Sequence, residues 1–133
     1  MKETAVVLDA SAFVEMLVDT ELGAAVAARL RDHRLATPAH FDGEVLSALG
    51  RLSRAGKLPD RRAAQLVRRT AALPVQREPL PGLLPGAWRR RQNLRVVDAL
   101  YAELAHQLGD IPLVTTDHGL ASAVPSAELI VVE

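Results

Sequence analysis

The 133-residue chain has no cysteine, which excludes thiol catalysis, disulfide staples and cysteine-ligated zinc. Its aromatic residues are only Phe13, Phe41, Trp88 and Tyr101, too few for a platform on which successive nucleic-acid bases stack. No stretch approaches the ~20 apolar residues of a membrane-spanning helix. The N-terminus shows no basic region, apolar stretch and small-residue cleavage site, so no secretory signal is expected and the cytoplasm is the default location. Also missing are Gly-x-x-x-x-Gly-Lys-Ser/Thr, Gly-x-Gly-x-x-Gly, Gly-x-Ser-x-Gly and His-Glu-x-x-His, which removes the common nucleotide-binding loops, the serine-hydrolase elbow and the zinc-protease helix. His33, His40, His106 and His118 have no metal-ligand spacing and read as surface residues.

Hydrophobic residues make up 49% of the chain and charged residues 24%, the profile of a folded globular protein rather than a disordered one. The length fits one domain spanning residues 1–133. The formal net charge is zero, but 12 basic and only 2 acidic residues lie between Arg51 and Arg95, while the rest of the chain holds 4 basic and 14 acidic ones. Such asymmetry points to a polyanionic partner, to cations held by carboxylates, or simply to a solvated helical face. Fourteen of the 16 basic residues are arginine, whose planar fork suits phosphate. With so few aromatics, a nucleic acid would be gripped mainly through its backbone.

Thr4 to Leu8 reads as a buried parallel strand ending at Asp9. Helices are expected at Ser11–Val18, at Glu21–His33 capped by Thr20, at Ala39–Ala55 and at Pro59–Leu73. Short strands are expected at Leu35–Thr37 and Val75–Leu80. A turn-rich stretch with Pro79, Pro81, Gly82, Pro85 and Gly86 follows, then basic helical turns over Ala87–Asn93. The segment Val97–Leu108 places Val97, Leu100, Tyr101, Leu104 and Leu108 on one stripe, with Glu103 pointing away from the core. Strands at Ile111–Thr116 and Leu129–Val132 flank a short helix near Leu120. Alternating strands and helices imply an α/β fold with a mainly parallel central sheet of about five strands.

In such a sheet, ligands gather at the carboxyl ends of the strands. Asp9 follows Val6-Val7-Leu8, and Asp117 follows Leu113-Val114-Thr115-Thr116. Neighbouring strand ends bring such acids close, and both stay ionised only beside a compensating cation. Asp98 and Glu44 lie at the edges of their helices' apolar faces, from which they reach over a sheet end. Each acid also has a plainer role. Asp9 and Asp117 suit helix N-caps, Asp98 and Glu44 complement the positive ends of their helices, and Asp42 stands beside Glu44 as a substitute. A charge placed directly after a buried strand is nevertheless costly without a partner. Four hard-oxygen ligands suit Mg²⁺ or Mn²⁺, the ions of phosphoryl chemistry.

At these residues the sequence resembles the PIN domain, specifically the VapC-type toxins of bacterial toxin–antitoxin pairs. The resemblance rests on Val7-Leu8-Asp9-Ala10-Ser11-Ala12, Glu44-Val45-Leu46-Ser47-Ala48-Leu49, Asp98-Ala99-Leu100-Tyr101-Ala102-Glu103-Leu104-Ala105 and Leu113-Val114-Thr115-Thr116-Asp117, in order and over nearly the whole chain. It implies a ribonuclease that uses Mg²⁺ or Mn²⁺ to hydrolyse RNA, a homodimer, and a VapB-type antitoxin whose tail covers the acidic groove. By the same resemblance Asp9, Glu44, Asp98 and Asp117 are the catalytic, metal-binding quartet, with Ser11 and Thr115 as supporting hydroxyls. Arg89, Arg90, Arg91 and Arg95 are the expected RNA contacts. The chain departs from the family pattern at Ser47, at Arg95 and Val97, and at His118 and Gly119. A PIN-like RNA- or protein-binding module without catalysis is the alternative, and a small-molecule phosphohydrolase would leave the basic segment without a use.

Overall fold

The computed structural model describes residues 4–132. Five strands form one wholly parallel sheet in the order β3-β2-β1-β4-β5: β1 (Thr4–Leu8), β2 (His33–Pro38), β3 (Val75–Glu78), β4 (Leu113–Thr115) and β5 (Ala127–Leu129). Between them lie α1 (Ala10–Leu17), α2 (Glu21–Leu30), α3 (Phe41–Arg54), α4 (Asp60–Ala72), α5 (Leu84–Arg89), α6 (Val96–Gln107) and α7 (His118–Ala123). The chain works outward from β1 to β3, then returns to β4 on the other side of β1. That reversal places a topological switch point between β1 and β4, where open parallel sheets leave a crevice for ligands.

Val6, Val7 and Leu8 are buried in the central strand, as their continuous apolar run predicts, and Leu113 and Val114 extend the core into β4. Phe13 of α1 meets Phe41 of α3 with ring centroids 5.5 Å apart, fixing those two helices beside the sheet. The α1–α2 corner is tight. Thr20 caps α2 by accepting the Gly23 amide at 2.9 Å, and Gly23 lies directly on the backbone of Glu15 and Met16.

Several boundaries differ from the sequence expectation, each for a local reason. α2 stops at Leu30, not His33, because Asp32 takes a left-handed conformation (φ 65°) that turns the chain into β2. β3 ends at Glu78, opposite Pro38, because Pro79 has no amide to continue the ladder. The basic turns expected over Ala87–Asn93 lie earlier, in a 3₁₀ turn at Pro81–Leu83 and in α5, with Pro85 in the first turn where a missing amide costs nothing. β5 comes two residues early, since its register is set by Leu113 opposite Ala127 and Thr115 opposite Leu129.

The helix α6 also corrects the expected stripe. Ala99 to Ala105 are all buried, whereas Val97 and Leu108 at its ends are exposed. Glu103 does not point away from the core; it is 5% exposed. Its carboxylate occupies the space that a Cβ on Gly86 would fill, and it accepts bonds from Arg90 (3.2 Å) and Gln107 (2.9 Å). A missing side chain on α5 makes room for the acid, and Arg90 compensates its charge.

Arg29 of α2 forks onto Glu128 of β5 at 2.6 and 2.8 Å and ties the edge strand to the helix. That hydrogen bond, helped by Coulomb attraction and opposed by partial burial, holds the Glu128 carboxyl below its ordinary range. The folded-state value is the depressed one, so this stability is present above the unfolded-chain value and is lost as pH falls through the folded one. The pair is partly solvated, so Glu128→Gln should cost no more than about 1 kcal/mol at neutral pH and still less at high salt. Thermal melts at two ionic strengths check this.

Candidate active site

At the switch point, Asp9 leaves β1 directly ahead of α1. It occupies that helix's N-cap position, yet its side chain makes no capping bond. Oδ2 accepts the Ser11 hydroxyl at 2.6 Å and the buried Thr115 hydroxyl at 2.6 Å instead. The β1–β4 pairing makes the second contact possible, since it sets Leu8 beside Val114. Burial pushes the Asp9 carboxyl above its ordinary value. The two hydroxyls work against this, while the charges of Glu44 and Asp98 add to it.

Asp117 behaves differently. It does cap α7, accepting the Leu120 amide at 2.9 Å, so for this acid the plainer role holds alongside any other. Its own amide donates to Thr115 Oγ1 at 3.0 Å. Thr115 thus bonds both Asp9 and Asp117, and Thr116 extends the network to Ser11 at 3.0 Å.

From α3, Glu44 reaches the same cleft. Its Oε1 accepts the Tyr101 hydroxyl at 2.5 Å and lies 3.5 Å from His40 Nε2. Burial raises the Tyr101 phenol far above its ordinary value, and the bond to Glu44 adds to that, so the hydroxyl stays a donor. His40 is not the surface residue expected. It packs against the Tyr101 ring at 4.9 Å and bonds the Val97 carbonyl through Nε2 at 3.0 Å. Asp98, in the first turn of α6, is gripped by Arg95 Nε and Nη2 at 3.0 and 3.2 Å.

The four acids, with Ser11 and Thr116, line one cleft of about 480 Å³, walled on its apolar side by Val14, Val18, Ala48 and Leu52 and carrying Arg51 and Arg95. Asp42 is not part of it; its carboxylate pairs with Arg77 at 2.7 Å, and Arg77 is held in turn by the Thr70 and Leu73 carbonyls. The basic segment is not one surface either. Arg62 pairs with Asp19, Arg77 with Asp42 and Arg90 with Glu103. Arg91 lies 4.6 Å over the Trp88 ring, and Arg89 is exposed at the end of α5.

Among the described residues, no three acidic or histidine side chains stand close enough to grip one ion as arranged. The donor chemistry nevertheless fits a hard divalent cation. The cleft offers carboxylate and hydroxyl oxygens, and no protein hydrogen bond among the described residues reaches Oδ1 of the buried Asp9. Tyr101, missed by sequence reasoning except as a core residue, is the main positioning group. Its signal was its place three residues beyond Asp98, on the same face of α6.

The PIN domain family model matches residues 6–124. Ribonuclease VapC3 of Mycobacterium tuberculosis is 50% identical over 126 residues, covering 94% of this chain and 91% of the relative. The chain therefore belongs to the PIN domain family, in its VapC group. Its backbone is similar to a crystal structure from Pyrobaculum aerophilum, with TM-score 0.68, 25% identity, and 93% and 82% of the two chains covered. It also shares its fold with a chain of a toxin–antitoxin complex from Klebsiella pneumoniae, with TM-score 0.62, 14% identity, and 92% and 95% covered.

Proposed function

We propose that this protein is the endoribonuclease toxin of a toxin–antitoxin pair, cutting RNA at a Mg²⁺- or Mn²⁺-dependent site formed by Asp9, Glu44, Asp98 and Asp117. The observation that carries the reading is the buried, hydroxyl-bound Asp9 at the switch point, with the other three acids around the same cleft. VapC3, half identical over nearly its whole length, is named a ribonuclease, which supports the activity. A protein antitoxin of VapB type, a homodimer and a cytoplasmic location complete the proposal. No helix among the described residues is long and apolar enough to cross a membrane.

Asp9, Glu44, Asp98 and Asp117 would hold the ion. When bound, such an ion supplies activation of water and neutralisation of charge at the phosphodiester. The chain's own contribution is placement. Ser11 and Thr115 hold Asp9 Oδ2 and leave Oδ1 toward the ligand, and Tyr101 fixes the Glu44 carboxylate. Arg51 and Arg95 offer positive charge to the phosphate backbone; of the other expected contacts, Arg89 and Arg91 are exposed outside the cleft, while Arg90 is held by the buried Glu103.

The test is incubation of antitoxin-free protein with a mixed RNA pool in Mg²⁺, in Mn²⁺ and in chelator, beside Asp9→Asn. Metal-dependent cleavage lost in the variant supports the reading, and equal cleavage by the variant overturns the site. Tyr101→Phe provides a finer test. It keeps the ring in the core but frees Glu44, so cleavage should fall about 10–100-fold, the range for loss of a group that orients a ligand. The melting temperature should change little, because Glu44, which accepts the hydroxyl's proton, is partly solvated and can bond water instead.

A further inference from the structure

Arg95 is in the wrong place for its helix. It is the N-cap of α6, where Ser, Thr, Asp or Asn is preferred, and its positive charge stands at the positive end of the helix. Its side chain makes no capping bond and is 79% exposed, yet it reaches Asp98. There the guanidinium takes both carboxylate oxygens of Asp98, at 3.0 and 3.2 Å. Asp98 is by contrast only 14% exposed in its side chain and lies in the acidic cleft with Asp9, Glu44 and Asp117. The charges of Asp117 and Glu44 also act on Arg95, so it sits in the field of several cleft acids rather than of one.

We propose that Arg95 is an internal counter-ion that competes with a divalent cation for Asp98, so that the cleft takes up metal only by displacing the guanidinium. The inference rests on the metal-site reading above. Both oxygens of Asp98 accept a bond from Arg95, so a divalent ion on either oxygen would stand beside the guanidinium's positive charge and be repelled by it. Displacement is easy because the arm is exposed and flexible, and a solvated ion pair of this kind is weak. The chain thereby lowers the mutual repulsion of its clustered acids while the site is empty of metal. Once displaced, Arg95 stays at the rim of the cleft, where the phosphate backbone of an RNA would meet it.

The test is titration of Mn²⁺ by calorimetry into wild type, Arg95→Gln and Asp98→Asn, in chelator-treated buffer without RNA. If Arg95 competes, Arg95→Gln binds Mn²⁺ about three- to tenfold more tightly than wild type, as expected for removal of one partly solvated ion pair. Asp98→Asn binds more weakly than either. Equal or weaker binding by Arg95→Gln, with normal binding by wild type, overturns the counter-ion role and leaves the metal site standing. Absence of binding in all three proteins overturns the metal reading, and the counter-ion with it. A second readout is independent of affinity. The Arg95 Nε–H resonance, slowed in exchange by its bond to Asp98, should lose that protection when Mg²⁺ is added to wild type. Unchanged protection at saturating Mg²⁺ overturns displacement.

Discussion

Replacing Asp9 by Asn should remove RNA cleavage and, in metal-free buffer, raise the melting temperature. The two effects have one cause. The carboxylate is buried 5% exposed at a strand end, and its charge is uncompensated while Glu44 and Asp98 add to the repulsion. Its folded-state pKa is therefore raised above the unfolded value. For an acid shifted this way the folded state holds the proton more strongly. Its contribution is most favourable below the unfolded-chain value and worsens as pH climbs from there through the raised folded value. Wild type carries the whole penalty only above the raised folded value. Asn keeps the acceptor that Ser11 and Thr115 require but carries no charge, so the apo variant should melt a few degrees higher. The gain should shrink toward acid pH, where wild type is protonated as well. Cleavage should fall by about 10²–10³-fold or more, the scale for removing one preorganised electrostatic group. Melts from pH 3 to 8 and initial rates on RNA check both arms. A variant that melts lower than wild type at pH 7 would show that hydrogen bonding, not charge, governs Asp9.

Gly23→Ala should produce a large loss of stability for a substitution that adds a single methyl group. A Cβ there would lie 2.1 Å from the Glu15 carbonyl oxygen and 2.8 Å from the Met16 Cα, atoms of the α1 backbone. Helix propensity alone favours Ala over Gly by about 1 kcal/mol. Overpacking costs about 1–3 kcal/mol, occasionally more, and rigid backbone sits at the upper end because it cannot rotate aside. The clash therefore wins, and a net loss of about 2 kcal/mol is expected. Since Asp9 is the N-cap of α1 and Ser11 lies in its first turn, the displacement should also disturb the cleft. Gly43→Ala is the matching control. It lies in α3 with nothing within 4 Å of its Cβ position, so propensity acts unopposed and the variant should gain up to about 1 kcal/mol. Parallel thermal melts decide. A Gly23→Ala protein as stable as wild type would mean that the α1–α2 corner opens at little cost.

Much of this architecture could be read from the residues. The unbroken apolar run Val6-Val7-Leu8 implied a strand covered on both faces, and Asp9 after it implied a ligand end. Strand order was not legible, because pairing is decided between segments a hundred residues apart; the short β5 shows this, its ends being set by Leu113 and Thr115. The helical wheel failed at Glu103, because a wheel weighs one helix at a time and the space for that acid comes from Gly86 on another. Within the cleft, Asp9 and Asp117 looked alike in sequence as potential caps. Only Asp117 caps, because the β1–β4 pairing brings Thr115 within reach of Asp9 and diverts its carboxylate from the helix amides. The hold of Tyr101 on Glu44 was hidden for the same reason, since it joins side chains 57 residues apart.

The bond from Thr115 to Asp9 spans 106 positions along the chain. Its consequence concerns timing. A chain released in order from its N-terminus has Asp9, Ser11 and Glu44 early, but it lacks β4 and Asp117 until residues 113–117 have been made. Contacts of such sequence separation form late, after the loop-closure cost of the intervening segments has been met. The cleft thus has no working partial version. For the toxin activity proposed above this order would act as a safeguard, because a fragment stalled or truncated before Leu113 lacks one wall of the cleft.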